Sequence, residues 1–504
     1  MSRKLLTRDD IADDLEKSSV DEVTGFSDDS FVDNDFEPDS ESSNLESDNE
    51  DFDDSNEETA MDVDEDPDEE VPLANLINCR TRGPVGGDRL TFVESPMCTG
   101  VNPDVAATLT GKSPSDFFNY FISEDMINLF VTETNRFSAQ HIIAVENSSN
   151  KSQTKRLAKW VDTDPSEMRT FLGIIIWMGL LQVPQQRDYW SRNILYKNEI
   201  PTFMSRKRFE QLLTMFHTSD NESQANLNDR LHKISDVLNM LQAKFKEAYV
   251  PENHVCIDES NVPFRGRIHF RQYIPNKRHK YGIKVFKLCV AGGYTWSFEV
   301  YTGKVKQDDT SVSETVVTEL MDGLLNSGRT LFTDNWYTSV SLADKMIQNN
   351  THLAGTLRAN RKQNPPEVIK ATLKKGEIIS RQNENKTVVL KWKDKRDVLM
   401  LTTKPDDSLT IFLHKGRECI KPAVVLAYNK GKTFIDLFNQ MAAYTPYCRR
   451  TVKWYKRLLF HLITATTIVN ALHLFNTLNG KRMNITRFKE LIVSGLLNSD
   501  ADMM

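Results

Sequence analysis

Cysteine is scarce in this sequence: six in 504 residues (Cys79, Cys98, Cys256, Cys289, Cys419 and Cys448), scattered and with no C-x-x-C pair. That usage gives no disulfide framework and no structural zinc spacing, and it fits reduced thiols in a cytosolic or nuclear protein. Long apolar runs are lacking as well. The most continuous, Phe171 to Val183, is 13 residues and includes Gln182, short of the roughly 20 residues that span a bilayer. The first residues carry charges where a signal peptide has its apolar core, so neither secretion nor a membrane partner is expected. Acidic residues are missing from two stretches, Arg265 to Lys284 and Leu437 to Lys489, in a chain that is 27% charged.

What is present is charge, and it is segregated. Lys and Arg number 63 against 71 Asp and Glu, a net −8. Between Met1 and Glu70 there are 29 acidic and four basic residues, a balance of −25, which leaves the remainder at +17. The pattern is an acidic arm on a basic body. Residues 1–112 hold too few large apolar groups to offset the entropy of ordering and are expected to be disordered. Ser47 and Ser55 each have an acidic residue three positions on, a pattern that acidophilic kinases accept and that chance also produces in so acidic a tract.

Order is expected from Ser113, where Ser-Pro-Ser-Asp-Phe-Phe opens a helical region. Helices are predicted over Glu167 to Leu181, Ser205 to Phe216 and Leu231 to Tyr249. The pattern then changes to short β-like runs: His254 to Ile257, ending at Asp258, and a hairpin of Gly282 to Ala291 and Tyr294 to Tyr301 around Gly292-Gly293. Helix, strand (Thr330 to Thr333), helix and strand follow, completing an α/β unit. Residues 359–419 read as a β-rich insertion. Helical character returns at Thr433 to Ala443 and at Trp454 to Leu478, whose His461, Asn470 and His473 indicate a buried helix of a soluble protein. The domain expectation is therefore a disordered acidic region (1–112), a helical segment (113–251), a catalytic α/β domain (252–358), a β-rich insertion (359–419), the last part of the α/β domain (420–446) and a second helical segment (447–504).

Asp258 and Asp334 each close a predicted strand. Carboxylates from strand ends of one sheet can meet on a rim and hold two divalent ions about 4 Å apart for phosphoryl transfer, and Mg²⁺ needs few protein ligands because it keeps several waters. The competing reading is a turn former, since Asp is common at strand ends. Arg265, Arg267, Arg271, Lys277, Arg278, Lys280 and Lys284, interleaved with Phe264, Phe270, Tyr273 and Tyr281, suit phosphates and stacked bases, against the alternative of a solvated loop. The second acid-free stretch, with Arg449, Arg450, Lys453, Lys456, Arg457, Lys481, Arg482, Arg487 and Lys489, makes nucleic acid the leading partner.

The residues also carry a family resemblance. Ile257-Asp-Glu-Ser, Phe264-Arg-Gly-Arg, Arg271-Gln-Tyr-Ile-Pro-Asn-Lys, Lys280-Tyr-Gly-Ile-Lys and Thr333-Asp-Asn-Trp-Tyr-Thr-Ser follow one another as in piggyBac transposases, and Arg449-Arg-Thr-Val-Lys-Trp with Asn470-Ala closes the succession. The resemblance covers roughly Ser113 to Leu497. It implies an RNase H-like core with a β-rich insertion, flanked by helical segments that dimerise and bind DNA, in a nuclear protein. It also implies cleavage and strand transfer at TTAA sites with two Mg²⁺ ions, or Mn²⁺ in their place. Carried over by motif, the catalytic and metal-binding aspartates are Asp258, Asp334 and Asp436, with Asn439 where the family has a second acidic residue. Trp454 matches a family tryptophan beside the target DNA. The family's C-terminal Cys/His-rich zinc module has no counterpart here. Together with Asn439 it sets the alternative: a domesticated, catalytically decayed DNA-binding or chromatin-associated protein.

Overall fold

The hydrogen-bond ladder of one large sheet sets the positions of everything that follows. The structure, a computed structural model, describes residues 90–92, 99–146, 160–222, 229–274, 279–303, 311–404, 409–414, 417–447, 451, 453–480 and 482–497. Almost all of the acidic N-terminal region, Ser47 and Ser55 included, and Lys277, Arg278, Lys481, Arg449 and Arg450 lie outside the described residues.

The strands are β1 (Gly100–Val101), β2 (Tyr249–Val250), β3 (His254–Pro263), β4 (Gln272–Tyr273), β5 (Tyr281–Cys289), β6 (Thr295–Val300), β7 (Thr330–Thr333), β8 (His352–Thr356), β9 (Ile378–Gln382), β10 (Val388–Lys393), β11 (Asp397–Thr402), β12 (Leu409–His414) and β13 (Arg417–Pro422). Nine of them form one sheet in the order β4-β5-β3-β7-β8-β11-β10-β9, with β6 also paired to β5. β3, β7 and β8 run parallel and their neighbours run antiparallel. Parallel strands need crossovers, and the connections contain helices: Val312–Leu320 before β7 and Val340–Gln348 between β7 and β8. Ser311 and Ser339 cap these helices, each accepting a backbone N–H three residues on.

In chain order the helices are α1 (Pro103–Leu109), α2 (Pro114–Phe121), α3 (Glu124–Glu146), α4 (Pro165–Leu180), α5 (Ile200–Phe203), α6 (Arg206–Met215), α7 (Ser235–Ala248), α8 (Val312–Leu320), α9 (Val340–Gln348), α10 (Pro366–Ile369), α11 (Ala423–Tyr444), α12 (Trp454–His461), α13 (Ile468–Asn479) and α14 (Ile485–Leu497). The Ser113-Pro-Ser-Asp signal does open a helix: Ser113 and Asp116 form a reciprocal capping box at α2. The early and late helices share one core, α4 packing on α14 and α2 on α13 and α14. Phe117 meets Phe475 edge-on at 5.2 Å.

Four expectations change in detail. β3 does not stop at Asp258 but runs on to Pro263, because its antiparallel ladder with β5 continues to Pro263↔Gly282 after the parallel ladder with β7 ends at Ile257↔Thr333. β9, β10 and β11 extend the main sheet through β8, while β12 and β13 pair only with each other. α11 starts ten residues before the predicted Thr433. The apolar segment Trp454–Asn479 is α-helix, a π-helical stretch (Leu462–Thr467) and α-helix. By length and composition it could cross a membrane, yet 83% of its most apolar window is buried inside the protein.

Candidate active site

Asp258 and Asp334 occupy matching places on neighbouring strands. Each follows the last parallel pair, Ile257↔Thr333, so the two stand at the same end of the β3–β7 ladder. Asp258 Oδ1 accepts the Glu259 N–H at 2.7 Å. Asp334 Oδ1 accepts the Trp336 N–H at 2.9 Å, and its backbone oxygen accepts from Thr338 N at 3.1 Å and Thr338 Oγ1 at 2.7 Å. Asp334 is thus a turn former, as the plainer reading held, and that turn fixes its carboxylate at the sheet rim.

Helix α11 packs on this part of the sheet, against β3, β7 and β5. Gly431 allows the close approach, since a Cβ there would run into the Phe332 ring on β7. Ile435 and Phe438 are buried beneath the helix, while Asp436 and Asn439, three residues apart, stay exposed. Ser260, two residues beyond Asp258 and on the same strand face, donates its hydroxyl to Asn439 Oδ1 at 2.8 Å. Cys256 lies two residues before Asp258. Burial pushes its thiol well above the usual range, and Asp258, Cys289, Asp436 and Asp334 push in the same direction. All three aspartates therefore act electrostatically on one buried thiol.

Beside them the Tyr337 side chain is fully buried and its hydroxyl has no hydrogen-bond partner. Burial raises its pKa far above the ordinary value, with Glu259, Asp258 and Asp334 adding to the shift. Among the described residues no three His, Cys, Asp or Glu side chains stand close enough together to hold a metal ion. The donors are nevertheless oxygen only. Carboxylate is the donor type that a hard cation retaining water takes, and Asp258, Asp334 and Asp436 are of that type.

The cations named from sequence divide into two groups. Arg265, Arg267, Arg271 and Lys280 are exposed around the β4–β5 hairpin. Others turn inward. Lys284 is buried, 2.7 Å from Glu259, with its ammonium 4.6 Å from the Trp336 ring centre. Lys456 donates to the carbonyls of Leu213 (2.9 Å) and Thr214 (2.7 Å), and Arg457 to those of Pro263 (2.8 Å) and Tyr447 (3.2 Å). Lys489 donates to Thr445 O and Oγ1 at 3.1 and 2.7 Å. Trp454 is 9% exposed and meets Phe270 edge-on at 5.4 Å, while Lys453 before it is half-buried.

Sequence reasoning overlooked Arg358 and Arg361. Arg358 Nε donates to Asn335 Oδ1 at 3.0 Å, and Arg361 Nη2 donates to the Asn335 carbonyl at 3.2 Å and to that of Trp336. They tie the chain after β8 to the loop that holds Asp334. Their signal was an Arg-x-x-Arg step just past a strand end, split by the boundary drawn between the α/β domain (252–358) and the insertion (359–419). Tyr337 stands inside the Thr333–Ser339 motif, but only burial reveals its unpartnered hydroxyl.

The mixed α/β fold that carries these aspartates is similar to that of a solved transposase. Over 80% of this chain and 83% of the other, the structure superposes with TM-score 0.70 and 24% identity on a chain of the piggyBac transposase synaptic complex with hairpin DNA, determined by cryo-EM. The family profile described as Transposase IS4 matches residues 113–472. The chain belongs to that family, in its piggyBac branch. It is 24% identical over 407 residues to the human PiggyBac transposable element-derived protein 3, covering 77% of this chain and 65% of the relative. It is 23% identical over 411 residues to the human PiggyBac transposable element-derived protein 2, covering 77% and 66%. The chain thus spans just under two thirds of the length of these two relatives.

Proposed function

We propose that this protein is a nuclear, piggyBac-type DNA-processing protein that binds DNA as a homodimer and cleaves and joins strands at TTAA sites, with the sheet serving as an RNase H-like core. The observation that carries the reading is the placement of Asp258 and Asp334 one residue past the last pair of a parallel ladder, under the helix that bears Asp436. Asp258 and Asp334 would hold Mg²⁺ or Mn²⁺, with Asp436 on α11 joining them when the ions draw the carboxylates together. When bound, the ions would activate a water or 3'-hydroxyl oxygen and stabilise the leaving oxygen of an in-line displacement. The chain's own contribution is positioning. The Asp334 turn fixes one carboxylate, the strand ladder sets its distance from Asp258, and the exposed cations of the β4–β5 hairpin hold the phosphodiester backbone.

The second reading, a DNA-binding protein without cleavage, is favoured by Asn439. Its amide carries no charge and its oxygen is already engaged by Ser260. Incubating the full chain with a TTAA-flanked duplex and Mg²⁺ decides between them. The enzymatic reading expects nicks that disappear with Asp258→Ala; DNA binding with no nicking by the wild type leaves the second.

A further inference from the structure

The aromatics of the basic hairpin separate in the fold. Phe264 and Phe270 are 3% and 4% exposed and belong to the core, whereas Tyr273 and Tyr281 are 55% and 40% exposed. The two tyrosines are directly opposite each other in the β4–β5 ladder. Their ring centres are 4.9 Å apart and their planes are inclined by 47°. The Arg271 guanidinium carbon stands 4.9 Å from the centre of the Tyr281 ring. Arg271 is itself held, because Nη1 donates to the carbonyls of Arg265 at 3.0 Å and Gly266 at 3.1 Å. The result is a short row of Arg271, Tyr281 and Tyr273, fixed at one end by the backbone and exposed at the other.

We infer that this row is a platform for an unpaired nucleobase of a single-stranded DNA segment. Three observations select that ligand. Aromatic surface of this size usually goes into a core, yet here two tyrosines stay outside while two neighbouring phenylalanines go in. The hairpin also displays Arg265, Arg267, Arg271 and Lys280, and the sequence from Ser260 to Phe298 contains no acidic residue. Backbone phosphate is the charge that complements it. Finally, the faces of a duplex base are covered by its neighbours in the stack, so an open tyrosine face is matched by a base that has left it. Tyr281 lies six residues along β5 from Lys287, the partner of Asp258, or about 20 Å. The platform would therefore hold DNA away from the aspartates, on a strand continuous with the cleavage region. The inference deepens the proposed DNA-processing function and rests on it.

The test uses the full chain, a fluorescein-labelled oligothymidine and a duplex of equal length, with binding followed by anisotropy over a range of salt. The double variant Tyr273→Ala/Tyr281→Ala should bind the oligothymidine roughly 5- to 150-fold more weakly. Its duplex affinity, salt slope and melting temperature should stay those of the wild type, and Tyr273→Phe/Tyr281→Phe should restore single-strand binding. Equal single-strand affinity in wild type and alanine variant, or an equal loss on both DNAs, overturns the platform while leaving DNA binding intact. A wild type that binds neither DNA overturns the proposed function and the platform with it.

Discussion

The Ser260 hydroxyl donates to the Asn439 side-chain oxygen at 2.8 Å, joining the strand that carries Asp258 to the helix that carries Asp436. Asn439→Asp keeps an acceptor at that position and adds a negative charge beside the aspartates. The expected outcome is stronger divalent-ion binding. The Mg²⁺ concentration giving half-maximal nicking should fall, and the thermal shift produced by Mg²⁺ should grow. Titrating Mg²⁺ against wild type and variant checks this, and an unchanged midpoint in both measurements refutes a metal-proximal role for position 439.

Asp334→Asn keeps the acceptor for Trp336 N–H and removes the charge. Nicking should fall at least 100-fold, while DNA affinity and melting temperature change little. Gel analysis of nicked product alongside anisotropy separates the two effects. Retained nicking would exclude Asp334 as a metal ligand.

The outward and inward cations should behave differently. Neutralising Arg265, Arg267 and Lys280 together should flatten the dependence of log affinity on log salt by about 0.9 for each phosphate that is no longer neutralised. Lys456→Met should leave that slope alone and lower stability, since the bonds to the Leu213 and Thr214 carbonyls are lost, at a typical cost of about 1–3 kcal/mol. Salt titrations and denaturant melts of the two variants provide the comparison.

At Gly431 a methyl group would collide with Phe332. Gly431→Ala should destabilise the fold by about 1–3 kcal/mol, the usual cost of overpacking, and reduce nicking because α11 must shift from the strands that carry Asp258 and Asp334. A melting temperature equal to that of the wild type would show that the helix yields without cost.

Burial lowers the Lys489 pKa to about 8 from an ordinary 10.5. Between these values the unfolded chain binds more protons at this residue than the folded one, so its contribution to stability rises with pH from about 8 to about 10.5 and is lost on descending through that window. The wild type should gain stability over Lys489→Met across this interval, and the difference between them should flatten below pH 8. Denaturant midpoints of both proteins measured through the window check the sign.

The order of elements was legible because local chemistry dictated it. Ser113 and Asp116 cap a helix, Gly292-Gly293 turns a hairpin, and the apolar and β-branched run Thr330 to Thr333 ends in an Asp-Asn turn. The turn at Asp334 was legible for the same reason, whereas Asp258 lies inside β3, which continues to Pro263. The direction taken by each cation could not be read, because Lys280 and Lys284 look alike in sequence and only the position of Glu259 on the neighbouring strand draws one inward. Nor could the membership of β9, β10 and β11. Their alternating residues require a sheet, but which sheet depends on the ladder from Thr356, Gly355 and Ala354 to Met400, Leu401 and Thr402.

That ladder has a mechanical consequence. From β4 to β9 the strands are hydrogen-bonded without a break, so the sheet has no hinge along its width, and a load applied at β9 is carried to β7 and Asp334 through backbone bonds. The movements that the proposed DNA processing requires would then occur at the sheet's attachments: the packing of Gly431 on Phe332, the Ser260–Asn439 bond, and the arginines that bind the loop after Asp334. The sheet serves as a rigid beam, and the joints around it are the parts able to yield.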